Sequence, residues 1–265
     1  MKYITLTTDF GLEDGYAGVL KGVIWGIAPD AHIADISHLV PPQDLMAGAL
    51  TLGRAIAYFP PGTVHLAVVD PGVGTQRRPI AARLGPYFVV APDNGLITQA
   101  LRRAEQRKQS LAIVHLNKPA FWLSDVSNVF HGRDIFAPVA AHLANGIPLE
   151  EMGDLITDPV RLHFPFPKAS RDVLHGEIIH IDHFGNLATN IDRSYLKSLQ
   201  IQEIRFGRHI IRRLACAYGD GSPGELLALI DSSDLLSLCE VNGNAAARLG
   251  ARIGDRVEVV IHSDW

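Results

Sequence analysis

Apolar and polar side chains alternate from Tyr3 to Thr8 and the pattern stops at Asp9, which predicts a first strand. Between Tyr16 and Ile27 the apolar residues recur at three- and four-residue intervals, the period of a helix. His32 to Ile36 returns to the strand pattern. A second helix is expected from Leu45 to Tyr58, behind Pro41 and Pro42, with Asp44 placed to cap its first turn. It leads into the apolar run Val64 to Val69. Successive βαβ units of this kind build a mostly parallel sheet flanked by helices. Ligands of such sheets bind outside the carboxyl ends of the strands, so the loops after those strands are the place for chemistry.

The pattern changes at Asp158 to Arg171, whose prolines and missing periodicity predict a linker between an amino-terminal domain (residues 1–160) and a carboxyl-terminal one (172–265). Beyond it come short runs rich in β-branched and apolar residues: Gly176 to Ile181, Ile201 to Phe206, Leu226 to Ile230 and Arg256 to Ile261. Gly, Asn, Asp and Ser turns separate them, and no long helical pattern intervenes. A small all-β barrel or sandwich follows from that spacing. The fold class is therefore α/β, with an added β domain.

Composition narrows the partners. At 47% hydrophobic and 20% charged residues the chain is an ordinary globular one, and its formal net charge of −4 supplies no basic field for nucleic acid. No apolar run approaches the roughly 20 residues that span a bilayer, so no membrane partner is expected. The chain opens on a strand rather than a signal peptide, which points to the cytoplasm. Cys216 and Cys239 can make neither a disulfide framework nor a zinc ribbon, and read as two buried thiols in a reducing compartment. No metal site is expected: His180 and His183, three apart, would face opposite sides of a strand.

Several segments carry candidate chemistry. In Val68-Val69-Asp70-Pro71-Gly72-Val73-Gly74-Thr75-Gln76-Arg77-Arg78 an apolar strand ends in an acid, a glycine turn and two arginines. The third glycine of a dinucleotide fingerprint and the Lys-Ser/Thr of a P-loop are both missing. A tight turn with no ligand would explain the same residues. Asp9, in Thr7-Thr8-Asp9-Phe10-Gly11, leaves its strand where a carboxylate can accept both hydroxyls of a ribose, or else cap the next helix. His131, in Phe130-His131-Gly132-Arg133-Asp134, stands just before an apolar helix from Ile135 to Leu143. Asp134 is a capping acid or a base. Asp182-His183-Phe184-Gly185-Asn186 offers an acid, a ring and an amide suited to an ammonium group, a stacked base and a base edge; a hairpin turn accounts for them equally. Asn242-Gly243-Asn244-Ala245-Ala246 is small enough for backbone contact with a ligand.

As an ordered set, TTDFG, VVDPGVGT with Arg77, FHGRD, DHFGN and NGNAA resemble the S-adenosylmethionine hydroxide adenosyltransferase family, hydrolytic relatives of the fluorinating and chlorinating enzymes. The resemblance runs the length of the chain. It implies hydrolysis of S-adenosyl-L-methionine to adenosine and methionine without a cofactor. It also implies a β-barrel as the second domain, and a homotrimer whose active sites lie between one subunit's amino-terminal domain and the next subunit's barrel. Carried over by motif, Asp70, Arg77 and His131 surround the attacking water and Asp9 holds the ribose. Asp182 and Asn186 meet the methionine amino group and the adenine, with Phe184, Ser232 and Ala245 also at the ligand. The fluorinating relatives have a tyrosine where this chain has Asp70 and a serine where it has Gly132. They carry a Ser-Arg pair where this chain has Ser232-Ser233. The alternatives are a halide-using adenosyltransferase and a non-catalytic S-adenosylmethionine or adenosine binder.

Overall fold

The computed structural model describes residues 1–197 and 199–261. Its contacts divide the chain into two compact units, Met1–Leu162 and a second beginning at His163. In the first unit the order is β1 (Lys2–Thr8), α1 (Tyr16–Ile27), β2 (Ala31–Ser37), α2 (Leu45–Ala55), β3 (Val64–Val68), β4 (Pro79–Leu84), β5 (Tyr87–Pro92), α3 (Thr98–Gln106), β6 (Leu111–His115), α4 (Ala137–Ala144) and β7 (Asp154–Leu155). Asp44 caps α2 as expected, its carboxylate accepting the Ala47 amide at 2.9 Å. Asp9 caps nothing in α1, whose first turn follows Gly15 with no side-chain cap.

The seven strands form one sheet in the order β2-β1-β3-β5-β4-β6-β7. The side β2-β1-β3-β5 is parallel. From β5 outward every pairing is antiparallel, because β4 and β5 form a hairpin closed by Gly85 and Pro86. The parallel side carries the strand ends of interest. Thr8 pairs with Val68 across β1 and β3, so Asp9 and Asp70 leave the sheet at nearly the same level.

The apolar run in β3 divides between two cores, as a strand buried on both faces must. Val64, Leu66 and Val68 join α1 and α4 on one face, and Ala67 and Val69 join α2 and α3 on the other. Ahead of α4 the chain makes one π-helical turn, Gly132–Phe136, in which the Ala137 amide bonds the Gly132 carbonyl. Such a turn carries one residue more than an α-helical turn would.

The second unit contains β8 (Lys168–Ser170), β9 (Val173–Ile181), β10 (Leu187–Asp192), α5 (Arg193–Leu196), β11 (Ile201–Phe206), β12 (His209–Ile211), β13 (Leu214–Ala215), β14 (Leu226–Ile230), β15 (Leu235–Glu240), α6 (Ala245–Leu249) and β16 (Arg256–Ile261). The strands run β12-β11-β16-β9-β10-β15-β14-β13, with β8 beside β9, and curl into a nearly closed barrel. One core fills it, to which Ile211 of β12 and Ala228 of β14 both contribute from opposite ends of the strand order. Of the thiols expected to be buried, only Cys239 is; Cys216 lies exposed in the polar segment after β13. His183 follows β9 rather than lying on it, in the turn to β10.

His65 of β3 is fully buried, its Nδ1 2.7 Å from the Thr5 hydroxyl and its ring edge-on to Phe59 and Tyr87. Burial pulls its pKa down to about 4 from 6.5. The unfolded chain therefore takes up this proton first, so the stabilisation is complete above about pH 6.5 and is lost as pH falls through about 4. The urea midpoint should drop across that window, and less steeply in His65→Leu. Equal slopes for the two proteins would contradict the assignment.

Candidate active site

Three segments converge at the parallel strand ends: the β1 exit at Thr8–Gly11, the β3 exit at Asp70–Arg77, and Phe130–Gly132. Asn94 anchors the second, donating from Nδ2 to the Val69 carbonyl at 2.9 Å while its Oδ1 accepts the Leu96 amide. After Asp70 the chain turns tightly, and Gly74 is left-handed with φ 77°. A Cβ at Gly74 would overlap the Asn128 carbonyl oxygen, so the loop bearing Arg77 is pressed against the loop leading to His131.

Arg77 joins the two loops electrostatically. Its Nε donates to Asp70 Oδ1 at 2.9 Å and its Nη2 to Asp70 Oδ2 at 2.5 Å. The same Nη2 stands 2.8 Å from His131 Nδ1, and the guanidinium carbon lies 5.2 Å from the Phe136 ring centroid. Only 8% of the Arg77 side chain and 6% of the Asp70 side chain are exposed, so this ion pair is shielded from bulk water. A guanidinium has no acceptor. His131 Nδ1 must therefore be the acceptor of this bond, which puts the proton of the neutral imidazole on Nε2. Burial, and then the Arg77 charge, push the His131 pKa below its ordinary value, against the opposing pull of Asp70 and Asp134.

The cleft at this point encloses about 330 Å³ and is lined by Asp9, Phe10, Gln43, Asp70, Phe130 and His131, among others. Asp9 Oδ2 accepts the Gln43 amide at 2.8 Å, which leaves Oδ1 open to a ligand. Gln43 itself has φ 64°, an uncommon conformation for a residue with a side chain. Phe10, Tyr16 and Phe130 pack edge to face, with centroids 5.4 to 6.0 Å apart. A Cβ at Gly132 would come within 3.3 Å of both Phe10 and Phe130, so a side chain there would crowd the aromatic wall.

Neighbouring charges are used elsewhere. Arg78 pairs with Asp93 and Asp158, away from Asp70, so of the two adjacent arginines it is Arg77 that faces His131. Asp134 is fully buried, bonded to Arg133 and to the Ser127 amide, and so ties the preceding loop to the π turn.

In the second unit Asp182 closes the β9–β10 turn. Its Oδ1 accepts the Phe184 and Asn186 amides and its Oδ2 accepts Asn186 Nδ2, all at 2.8 to 2.9 Å. Phe184 projects from that turn, 71% exposed. Asn244 caps α6, and the Ala246 amide donates to the Gly185 carbonyl at 2.9 Å, so the buried Ala245 stands beside the same turn. Ser232 lies exposed on the β14–β15 turn. Among the described residues no cluster of three or more His, Cys, Asp or Glu could hold a metal ion.

Sequence reasoning missed Phe10, Gln43 and Asn94 as parts of the site. The Pro-Asp-Asn-Gly turn signal at residues 92–95 marks Asn94 as a loop residue but not what it binds, and no local signal announces the Gln43 conformation.

Residues 4–153 match the family described as SAM hydroxide adenosyltransferase N-terminal domain, and residues 176–258 match its C-terminal domain. The chain is 41% identical to the (R)-S-adenosyl-L-methionine hydrolase of Salinispora tropica, over 97% of both proteins. A solved structure of an uncharacterized conserved protein from Thermotoga maritima superposes with a TM-score of 0.88 at 38% identity, over 97% of this chain and 99% of that one. The fluorinase of Actinoplanes sp. is more distant, 30% identical over 75% of this chain and 74% of its own length.

The Arg77 bond makes one electrostatic consequence measurable. In Arg77→Met the nearby cation is gone while Asp70 stays, so the His131 pKa should rise toward or beyond 6.5, as followed by NMR titration of its ring protons. An unchanged or lower value would show that Arg77 does not govern His131.

Proposed function

The chain belongs to the SAM hydroxide adenosyltransferase family, and from that premise we propose that it hydrolyses S-adenosyl-L-methionine to adenosine and L-methionine. The observation that carries this reading is the shielded chain Asp70–Arg77–His131 opening on a cleft at the strand ends. In the reaction the water oxygen bonds to ribose C5′, the C5′–S bond breaks, and its electron pair stays on sulfur as neutral methionine departs. The leaving group needs no proton, so the catalytic demand falls on the nucleophile. The Nε2–H of His131 donates to the water and orients it. Asp70 takes the water's proton through a lone pair that Arg77 does not use. The Arg77 guanidinium stabilises the hydroxide character that develops. Base assistance of this kind is worth about 10² to 10⁴ in rate.

Around that centre Asp9 holds the ribose hydroxyls. Asp182 meets the methionine ammonium, Asn186 the adenine edge, and Phe184, Ser232 and Ala245 complete the ligand shell. A halide-using reaction is disfavoured because the Asp70 carboxylate would repel an anion at the position of attack. A passive binder would gain nothing from a shielded ion pair, which costs desolvation and contributes little net stability. The assembly in this proposal is a homotrimer in the cytoplasm, each site combining the amino-terminal unit of one subunit with the barrel of the next.

Purified protein incubated with S-adenosylmethionine should release adenosine, followed by chromatography, at a rate indifferent to added chloride. No adenosine, or a chlorinated nucleoside in its place, would sink the reading. Asp70→Asn should lower kcat by about 10² to 10⁴ while adenosine affinity stays within roughly threefold, because water activation belongs to the transition state.

Shared sites make a separate prediction. Asp70→Asn and Asp182→Ala, each inactive alone, should regain activity when their subunits exchange, with roughly a quarter of head-to-tail interfaces carrying both halves intact. Demonstrated exchange with no recovery would put the whole site inside one subunit.

A further inference from the structure

We propose that His38 is a positioning residue for ribose binding: its buried imidazole, flanked by Asp35 and hydrogen-bonded to Thr8, sets the loop that presents Asp9. The proposal rests on the reading of Asp9 as the ribose ligand.

The β1 and β2 strands pair in register up to Leu6 and Asp35, and then Thr7 pairs with Ser37. One extra residue, Ile36, is thus inserted in β2. Such a bulge bends the strand and re-aims the side chains beyond it. Here the bend leads to His38, which lies beneath the end of β1. His38 is 3% exposed and Thr8 fully buried. Nδ1 of His38 is 2.8 Å from the Thr8 hydroxyl, and Nε2 is 3.1 Å from Asp35 Oδ1. Lys21 holds the other Asp35 oxygen at 2.6 Å. Partial burial of Asp35 opposes ionisation, but the interactions with Lys21 and His38 outweigh it and lower its pKa.

The Asp35 carboxylate beside Nε2 favours the imidazole proton on that nitrogen, although the two are not aligned as a hydrogen bond, and Nδ1 is left as an acceptor for the Thr8 hydroxyl proton. The Thr8 oxygen then accepts the Phe10 amide, at 3.3 Å. These bonds therefore end on the backbone just after Asp9. The loop after β2 holds this segment at two further points, with the His38 carbonyl accepting the Gly11 amide at 2.8 Å and the Gln43 amide donating to the Asp9 side chain at Oδ2. A leucine would fill the space of His38 as core. An imidazole bonded through Nδ1 to Thr8 specifies instead where the Thr8–Gly11 backbone lies, and with it the direction of the Asp9 carboxylate. Burying polar groups is costly unless they are paired, which makes the arrangement sensitive to the loss of the His38–Thr8 bond.

The test separates binding from chemistry. Thr8→Val, which exchanges a hydroxyl for a methyl group, and His38→Phe should each weaken adenosine binding about tenfold by calorimetry. The KM for S-adenosylmethionine should rise by a similar factor while kcat stays within about threefold. Thr8→Ser, which keeps the hydroxyl, should bind as the parent does. The double variant Thr8→Val/His38→Phe should be no weaker than the poorer single one, since both break the same bond. Circular dichroism and urea midpoints check folding, and if His38→Phe does not fold, Thr8→Val against Thr8→Ser carries the comparison. The proposal is overturned by near-parent adenosine affinity in folded Thr8→Val, by a loss confined to kcat, or by Thr8→Ser behaving as Thr8→Val. Asp9→Ala serves as the reference. If it leaves adenosine affinity unchanged, the ribose reading fails and takes this proposal with it; if it weakens binding while the Thr8 and His38 variants do not, the relay alone falls.

Discussion

A guanidinium can only donate, and that limitation organises the amino-terminal site. Arg77 is shielded between Asp70 and His131. Each neighbour must therefore offer it a lone pair, the carboxylate from both its oxygens and the imidazole by keeping its proton on the far nitrogen. The two side chains are thus distinguished before substrate arrives: Asp70 is the group with an unused acceptor, and His131 the one with an outward N–H. A lysine could balance the charge but not span both partners with a fixed planar fork.

Holding that geometry takes backbone from three parts of the chain. Asn94 fixes the end of β3, the Gly74 turn leans on Asn128, and Asp134 secures the loop that runs from Ser127 to the π turn. The parallel pairing of β1 with β3 then brings Asp9 and Asp70 to the rim of one cleft. Rigid strands set the level of the carboxylates, and loops set their direction.

The elements near the amino terminus were legible because their patterns are local. Residues Tyr3 to Thr8 alternate, Val64 to Val69 are apolar apart from His65, and Asp44 sits ahead of a helical period; each feature points to an element that the structure forms. The antiparallel side of the sheet was not legible, since a strand's direction depends on the Gly85-Pro86 hairpin and on its neighbours rather than on its own residues. For the site, the motifs named Asp70, Arg77 and His131 but left Arg78 as a rival. Only the ion pairs of Arg78 with Asp93 and Asp158 separate the two arginines, and those partners lie 15 and 80 residues away. Cys216 shows the opposite failure: a residue type that is usually buried sits in a polar segment that keeps it exposed.

The π turn at Gly132–Phe136 gives chain length a meaning of its own. Successive helical residues are rotated by about 100° around the axis. Losing a single residue from this turn would let the helix continue in regular α register, and would swing His131 by about that angle away from Arg77 while leaving the apolar face of α4 in its core. Among diverging relatives, then, the spacing from His131 to the start of α4 is a character to align on: insertions and deletions there would separate lineages that keep this site from lineages that have kept only the scaffold.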